Sequence, residues 1–153
     1  VGQLDRYGIT KAWLVGHQLG AMAALQVAVD EPERVAGLVL TGALVSPGKL
    51  ALSLQKGLIR MLPNRALADS GATKDDLIRA LDVVATADFG KRLGDITVPV
   101  LIIAGTSDPG LPSAKLLAQR IPNARLAEIP NAGPTPSLEQ PDAYNHLLTE
   151  FLS

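Results

Sequence analysis

The stretch Leu14-Val15-Gly16-His17-Gln18-Leu19-Gly20-Ala21 decides the fold. On its N-terminal side, Ala12–Gly16 (AWLVG) is a short apolar run ending in glycine, the pattern of a buried strand. On its C-terminal side, Leu19–Val29 is Ala-rich, with Leu19, Met22, Ala23, Gln26 and Val27 at helical spacing. A strand therefore passes into a helix within two or three residues, with Gln18 at the turn. Gly16 and Gly20 are expected to relieve crowding where strand meets helix.

Outward from this turn the pattern alternates. Before it, Val1 to Tyr7 reads as the tail of a helix stopped by Gly8. After it, Pro32 breaks the helix and Val35–Val45 is nearly continuous in apolar residues, as strands buried on both faces are. Lys49 to Leu62 carries Leu50, Leu54, Leu58 and Met61 on one helical stripe, ended by Pro63. Thr73-Lys74-Asp75-Asp76 has the form of a capping box, and Asp88–Asp95 is a further short helix or loop. Val98–Gly105 and Ala124–Ile129 are two more strands, separated by a helix opened by Pro112 and Ser113. A Pro-rich loop follows, then a helix with Tyr144, Leu147, Leu148 and Phe151 as its apolar stripe. Strands alternating with helices imply parallel strands joined by right-handed crossovers. The expected fold class is α/β, with about four parallel strands, flanking helices and a helical cap-like insertion over residues 48–95 of a single domain spanning 1–153.

Composition narrows the function classes. The chain has 153 residues, 47% of them apolar, enough for one domain with its own core. With 14 Lys and Arg against 15 Asp and Glu, it has no electrostatic footprint for nucleic acid or an anionic membrane. It has no cysteine, so disulfides and thiolate metal sites are excluded. With only His17 and His146, no metal centre and no cofactor are expected. No apolar run reaches the roughly 18 residues of a membrane span, and no basic and apolar leader opens the chain, so a cytoplasmic protein is expected. The first residue is Val1 rather than Met, which leaves processing, tag removal and a fragment all open.

Four blocks in order carry a family likeness. ITKAWLVGHQLGAMAALQVAVDEPERVAGLVL, the helical segment Gly48–Asp95, ITVPVLIIAGTSDPGLP and IPNARLAEIPNAGPTPSLEQPDAYNHLLTEFL resemble the C-terminal part of an α/β-hydrolase fold. They are similar to its elbow, its cap, its acid-bearing strand and loop, and its histidine loop with the final helix. The likeness covers nearly the whole chain, the cap weakly. It implies that Gln18 occupies the nucleophile position, Asp108 the acid position and Pro134 the histidine position, in the family's chain order. It also implies that the family's first strands and first oxyanion-hole loop would precede this chain.

These positions have chemical consequences. A triad needs a hydroxyl or thiol activated by a base, which a carboxylate orients. An amide supplies no nucleophile, and a proline side chain supplies no base. Gln18 is either a residue tolerated at a tight turn or an amide that hydrogen-bonds a ligand carbonyl. Asp108, in Ser107-Asp108-Pro109-Gly110, is either turn chemistry or a lone carboxylate acting as general acid or base. Pro134 is inert. His17 matches an ordinary structural position, and His146 is expected on the solvent side of its helix. The Leu19 N–H, at a helix start, is a donor for an anion or carbonyl oxygen.

The expectation is a truncated hydrolase-like pseudoenzyme. It would bind a small apolar ligand through His17, Gln18, Leu19 and Asp108, or act in assembly. The alternatives are a non-hydrolytic acid–base enzyme using Asp108 (a cyclase, isomerase or lyase) and a natural or engineered fragment of a serine hydrolase. Ala12–Val15, without an earlier strand beside it, would be an apolar sheet edge, so a homodimer, or pairing with a chain that supplies the missing strands, is expected.

Overall fold

A computed structural model of the chain describes residues 2–43 and 92–153, together with positions 57, 59–61, 73–75, 78 and 79. Two compact units are present, residues 1–45 with 89–153, and residues 46–88. In the second unit, Lys74 donates to the Arg60 carbonyl at 3.2 Å, and Met61 is exposed. Leu50, Leu54, Leu58 and Asp76, on which the cap-like stripe and the capping box rest, lie outside the described residues.

The first unit contains a short helix α1 (Gly2–Arg6), strand β1 (Ala12–His17), helix α2 (Leu19–Asp30) and strand β2 (Val35–Thr41). Beyond the second unit come β3 (Val100–Gly105), α3 (Leu111–Arg120), β4 (Ala124–Ile129), the single turn α4 (Pro136–Glu139) and α5 (Pro141–Leu152). The four strands form one sheet in the order β1-β2-β3-β4, every pair parallel. The α/β class and the four parallel strands expected from the sequence are therefore present.

Element ends follow local chemistry. β2 stops at Thr41, short of the expected Val45, because Gly42 turns the chain with φ +64°. β3 starts at Val100, after Pro99, whose nitrogen has no hydrogen to give a ladder. Proline stands in the first turn of α3, α4 and α5, where a missing N–H is harmless.

Residues paired across parallel strands share a face, so the register sorts the sheet into two sides. Gly16, Leu40 and Ile102 are on one side, which α2 covers over β1 and β2 and α3 covers over β3 and β4. Val15, Val39, Leu101 and Arg125 are on the other. There Val39, Leu101, Ile103, Ile129 and Tyr144 form a buried cluster, and Leu147, Leu148 and Phe151 of α5 pack on it. Two ion pairs mark the two sides. Lys115 of α3 meets Glu128 at 3.1 Å, and Arg125 meets Glu150 of α5 at 2.9 Å.

The stripe expected for α5 is the one that packs. For α2 the reading needs correction. Its buried residues are Ala21, Met22, Ala24, Leu25, Ala28 and Val29, while Leu19 and Ala23 are exposed. In an Ala-rich helix several faces are equally apolar, so spacing alone does not choose one. β1 also differs from the buried strand expected. Trp13 and Val15 are 39% and 53% exposed, because among the described residues β1 is an edge strand and α5 covers this side of it only in part.

Candidate functional site

All four strands run the same way, so their carboxyl ends lie along one edge of the sheet. Each candidate residue follows one of those ends. This edge is where ligands of open parallel sheets generally sit.

Gln18 follows β1 with φ 48° and ψ −110°, a conformation that L-residues with a Cβ rarely adopt. Three contacts hold it there. Its N–H donates to the Thr41 carbonyl at 2.7 Å, continuing the β1–β2 ladder one residue past the strand. Its own carbonyl accepts from the Met22 N–H at 3.1 Å, starting α2. Its Cγ lies over Gly42, where an added Cβ would approach within 3.1 Å. The tight turn also needs Gly16, since a Cβ there would come within 2.5 Å of the Gly20 carbonyl oxygen and 2.6 Å of the Ala21 backbone. Gly20 is not needed in the same way, because nothing lies within 4 Å of a Cβ built on it. The crowding is relieved by Gly16 alone.

Asp108 follows β3 and is half-buried. Its Oδ1 accepts the Gly110 N–H at 2.7 Å, and its backbone carbonyl accepts from Leu111 at 3.0 Å, at the first turn of α3. One carboxylate oxygen is thus engaged in shaping the turn.

Pro134 follows β4 in a loop bound tightly to the end of β3. A Cβ on Gly105 would come within 2.0 Å of the Ala132 carbonyl oxygen. Ser107 donates to that same oxygen at 2.9 Å, and the Asn131 N–H donates to Thr106 Oγ1 at 2.9 Å. On the far side of the loop, Glu139 accepts from the Gly133 N–H at 2.6 Å, the Thr135 N–H at 3.0 Å and the Thr135 hydroxyl at 2.7 Å. These bonds, the Gly133 amide foremost, hold the Glu139 carboxyl below its ordinary value of 4.5. The sequence reading did not single out Glu139. Its signal is the Thr135-Pro136-Ser137-Leu138-Glu139 run, in which an acid one turn on reaches back to a threonine N-cap, one place later than in the usual capping box.

The structure joins two of the candidates directly. His17 Nε2 lies 3.2 Å from the Pro134 carbonyl oxygen, which ties the β1 turn to the loop after β4. Beneath them, the buried Thr41 hydroxyl and the Tyr144 hydroxyl are 3.3 Å apart. His146 is exposed and outside this group, as expected. A groove lined by Asp5, Gly8, Ile9, Thr10, Glu33 and Arg34 lies at the opposite end of β1. Its guanidinium is already engaged by Asp5 and by the Ile9 and Thr10 carbonyls, so that groove has no part in this chemistry. Among the described residues no group of acidic and histidine side chains clusters as a metal site would, and no helix is long and apolar enough to cross a membrane.

This edge of the sheet carries the Gln18 amide, the start of α2 and the His17 imidazole. It presents no hydroxyl or thiol at the turn.

Known proteins share the fold. A Klebsiella pneumoniae protein bearing the name carbamate hydrolase RutD is 29% identical over 183 residues, covering 98% of this chain and 69% of the relative. A 2-hydroxy-6-oxononadienedioate/2-hydroxy-6-oxononatrienedioate hydrolase from Cupriavidus pinatubonensis is 29% identical over 189 residues, covering 99% of this chain and 65% of the relative. Among solved structures, the enol-lactonase from Burkholderia xenovorans LB400 superimposes with a TM-score of 0.83 at 22% identity, over 99% of this chain and 69% of that one. The model of the alpha/beta hydrolase family matches residues 1–147. By that match, and by the parallel sheet and the turn at Gln18, the chain belongs to the alpha/beta hydrolase family.

Proposed function

We propose that this chain is a hydrolase-fold protein that does not run the serine-triad reaction and instead binds a small, largely apolar carbonyl compound at the carboxyl ends of its strands. The observation that carries this reading is Gln18 itself. Its backbone has the strained form of a nucleophile turn, φ 48° and ψ −110°, with the supporting Thr41 bond, Gly42 and Gly16 all in place. The residue on that turn is an amide. It donates and accepts hydrogen bonds but cannot attack a carbonyl carbon. By the family likeness Pro134 takes the position of the base, and its side chain has no atom that can accept a proton.

The relatives named above are hydrolases by name, which favours a carbonyl compound as the ligand class. In this site the Gln18 amide and the Leu19 N–H would meet the ligand's oxygen, and the exposed Leu19 side chain supplies apolar contact.

Labelling with a fluorophosphonate, read by intact mass, tests the reading. The chain is expected to gain no adduct, because such reagents need an activated nucleophile. A stoichiometric adduct, or saturable ester turnover that the reagent blocks, would overturn it. Native mass spectrometry of the purified protein, which retains a bound small molecule, reads the binding half of the proposal.

A further inference from the structure

The imidazole that the family likeness places at position 134 is absent, yet the structure brings an imidazole to the same loop from a different element. His17, the last residue of β1, reaches the Pro134 backbone at 3.2 Å through Nε2. A carbonyl oxygen only accepts, so in this bond Nε2 carries the proton. In the neutral ring Nδ1 is then an unprotonated acceptor. Among the described residues Nδ1 has no partner, and the side chain is exposed.

The acceptor that holds the ring is itself fixed. The amides on either side of Pro134, those of Gly133 and Thr135, both donate to the Glu139 carboxylate at 2.6 and 3.0 Å. This is the logic of an oriented base: one ring nitrogen is tied to a rigid acceptor, and the other is left to work. The position also suits the task. His17 pairs with Thr41 in the sheet register, and Gln18 packs over Gly42, so both residues stand at the carboxyl end of the β1–β2 pair.

We propose that His17 supplies the working imidazole of this site, with the Pro134 carbonyl as its orienting acceptor and Nδ1 as the nitrogen that meets the ligand. The proposal rests on the reading that Gln18 meets a ligand carbonyl, and it narrows the ligand class to carbonyl compounds with an acidic hydrogen on the neighbouring atom. Nδ1 takes that hydrogen as a proton. The electron pair it leaves moves toward the carbonyl oxygen, giving an enolate that the Gln18 amide and the Leu19 N–H hold. Delivery of that proton to the carbonyl oxygen completes conversion of the keto form to the enol, and the same steps in reverse return it to carbon, with no oxidant, reductant or co-reactant.

Two measurements test this. The first is the tautomer of His17 by nitrogen-15 NMR at pH 8, in the full chain, with His146→Gln used to assign the two rings. The Nε2-protonated form is expected, and an Nδ1-protonated ring, or the mixture of a free histidine, overturns the proposal. The second is the keto–enol interconversion of phenylpyruvate, followed by ultraviolet absorbance. The chain is expected to accelerate it, His146→Gln to retain the rate, and His17→Gln to lose about a hundredfold, the scale of one general base. No acceleration over buffer, or a rate unmoved by His17→Gln in a chain whose unfolding transition is unchanged, overturns it. The tautomer reads His17 without any ligand or change at His17, whereas a fluorophosphonate adduct would overturn only the reading of Gln18.

Discussion

At the residue scale, the turn at Gln18 is a strained point that the rest of the sheet edge holds in place. A non-glycine residue in such a conformation costs about 1–3 kcal/mol. Gln18→Gly is therefore expected to stabilise the chain by about 1 kcal/mol in urea unfolding, although it removes the amide that the proposed ligand meets. The two glycines of the turn should separate cleanly. Gly16→Ala drives a methyl into the Gly20 and Ala21 backbone and should cost about 1–3 kcal/mol, the range of overpacking in a close-packed interior. Gly20→Ala, in α2 with open space around the new methyl, should stabilise by about 0.5–1 kcal/mol. The sequence showed the turn but not this asymmetry. A glycine on either side looks alike until the direction of each Cβ is known.

At the scale of elements, α5 shows what sequence periodicity captures and what it does not. Tyr144, Leu147, Leu148 and Phe151 were legible as the packed stripe because pairs of polar residues, 145–146 and 149–150, fall between its turns. The buried bond between the Tyr144 and Thr41 hydroxyls was not legible, since the two residues are 103 positions apart. Tyr144→Phe leaves the Thr41 hydroxyl, 1% exposed, without that partner and should cost about 1–3 kcal/mol of stability. The loop around Pro134 behaves as an acid-sensitive element. The Glu139 carboxyl titrates lower in the folded chain than its ordinary 4.5, so its clamp on Gly133 and Thr135 is complete above that value. It is lost as the pH falls through the lower, folded value. Hydrogen exchange should show these two amides losing protection below pH 4.5 while those of β3 keep theirs, and Glu139→Gln should abolish the dependence. The position of Asp108 was legible in the sequence, but its bond to Gly110 makes turn formation a role it already fills. If Asp108 has no part in proton transfer, Asp108→Asn leaves phenylpyruvate interconversion intact. A rate lost with a fold retained would assign it the acid–base role instead.

At the scale of the molecule, the register explains why one strand reads differently from the rest. β2 and β3 have neighbours on both sides and both faces covered, and their near-continuous apolar runs made them the easiest strands to find. Among the described residues β1 pairs with β2 alone, and it shows Trp13 and Val15 on its more open face. An edge of this kind offers unpaired backbone groups and apolar side chains to another strand. The homodimer expected from the sequence becomes a prediction about this edge. Native mass spectrometry from micromolar to hundred-micromolar concentration should show a concentration-dependent dimer, and Val15→Lys should dissolve it. A monomeric mass throughout that range would end the idea.

The placement of Trp13 has one further consequence. It is the only tryptophan in the chain. Its ring fills the space beside Gly37 and meets Phe151 edge-on, the centroids 5.4 Å apart and the planes at 78°. Its fluorescence is thus a single-site signal from the seam between the first strand and the last helix. Undocking of α5 should shift that emission toward the red before the sheet itself melts, so the opening of this seam can be followed in real time without attaching a dye.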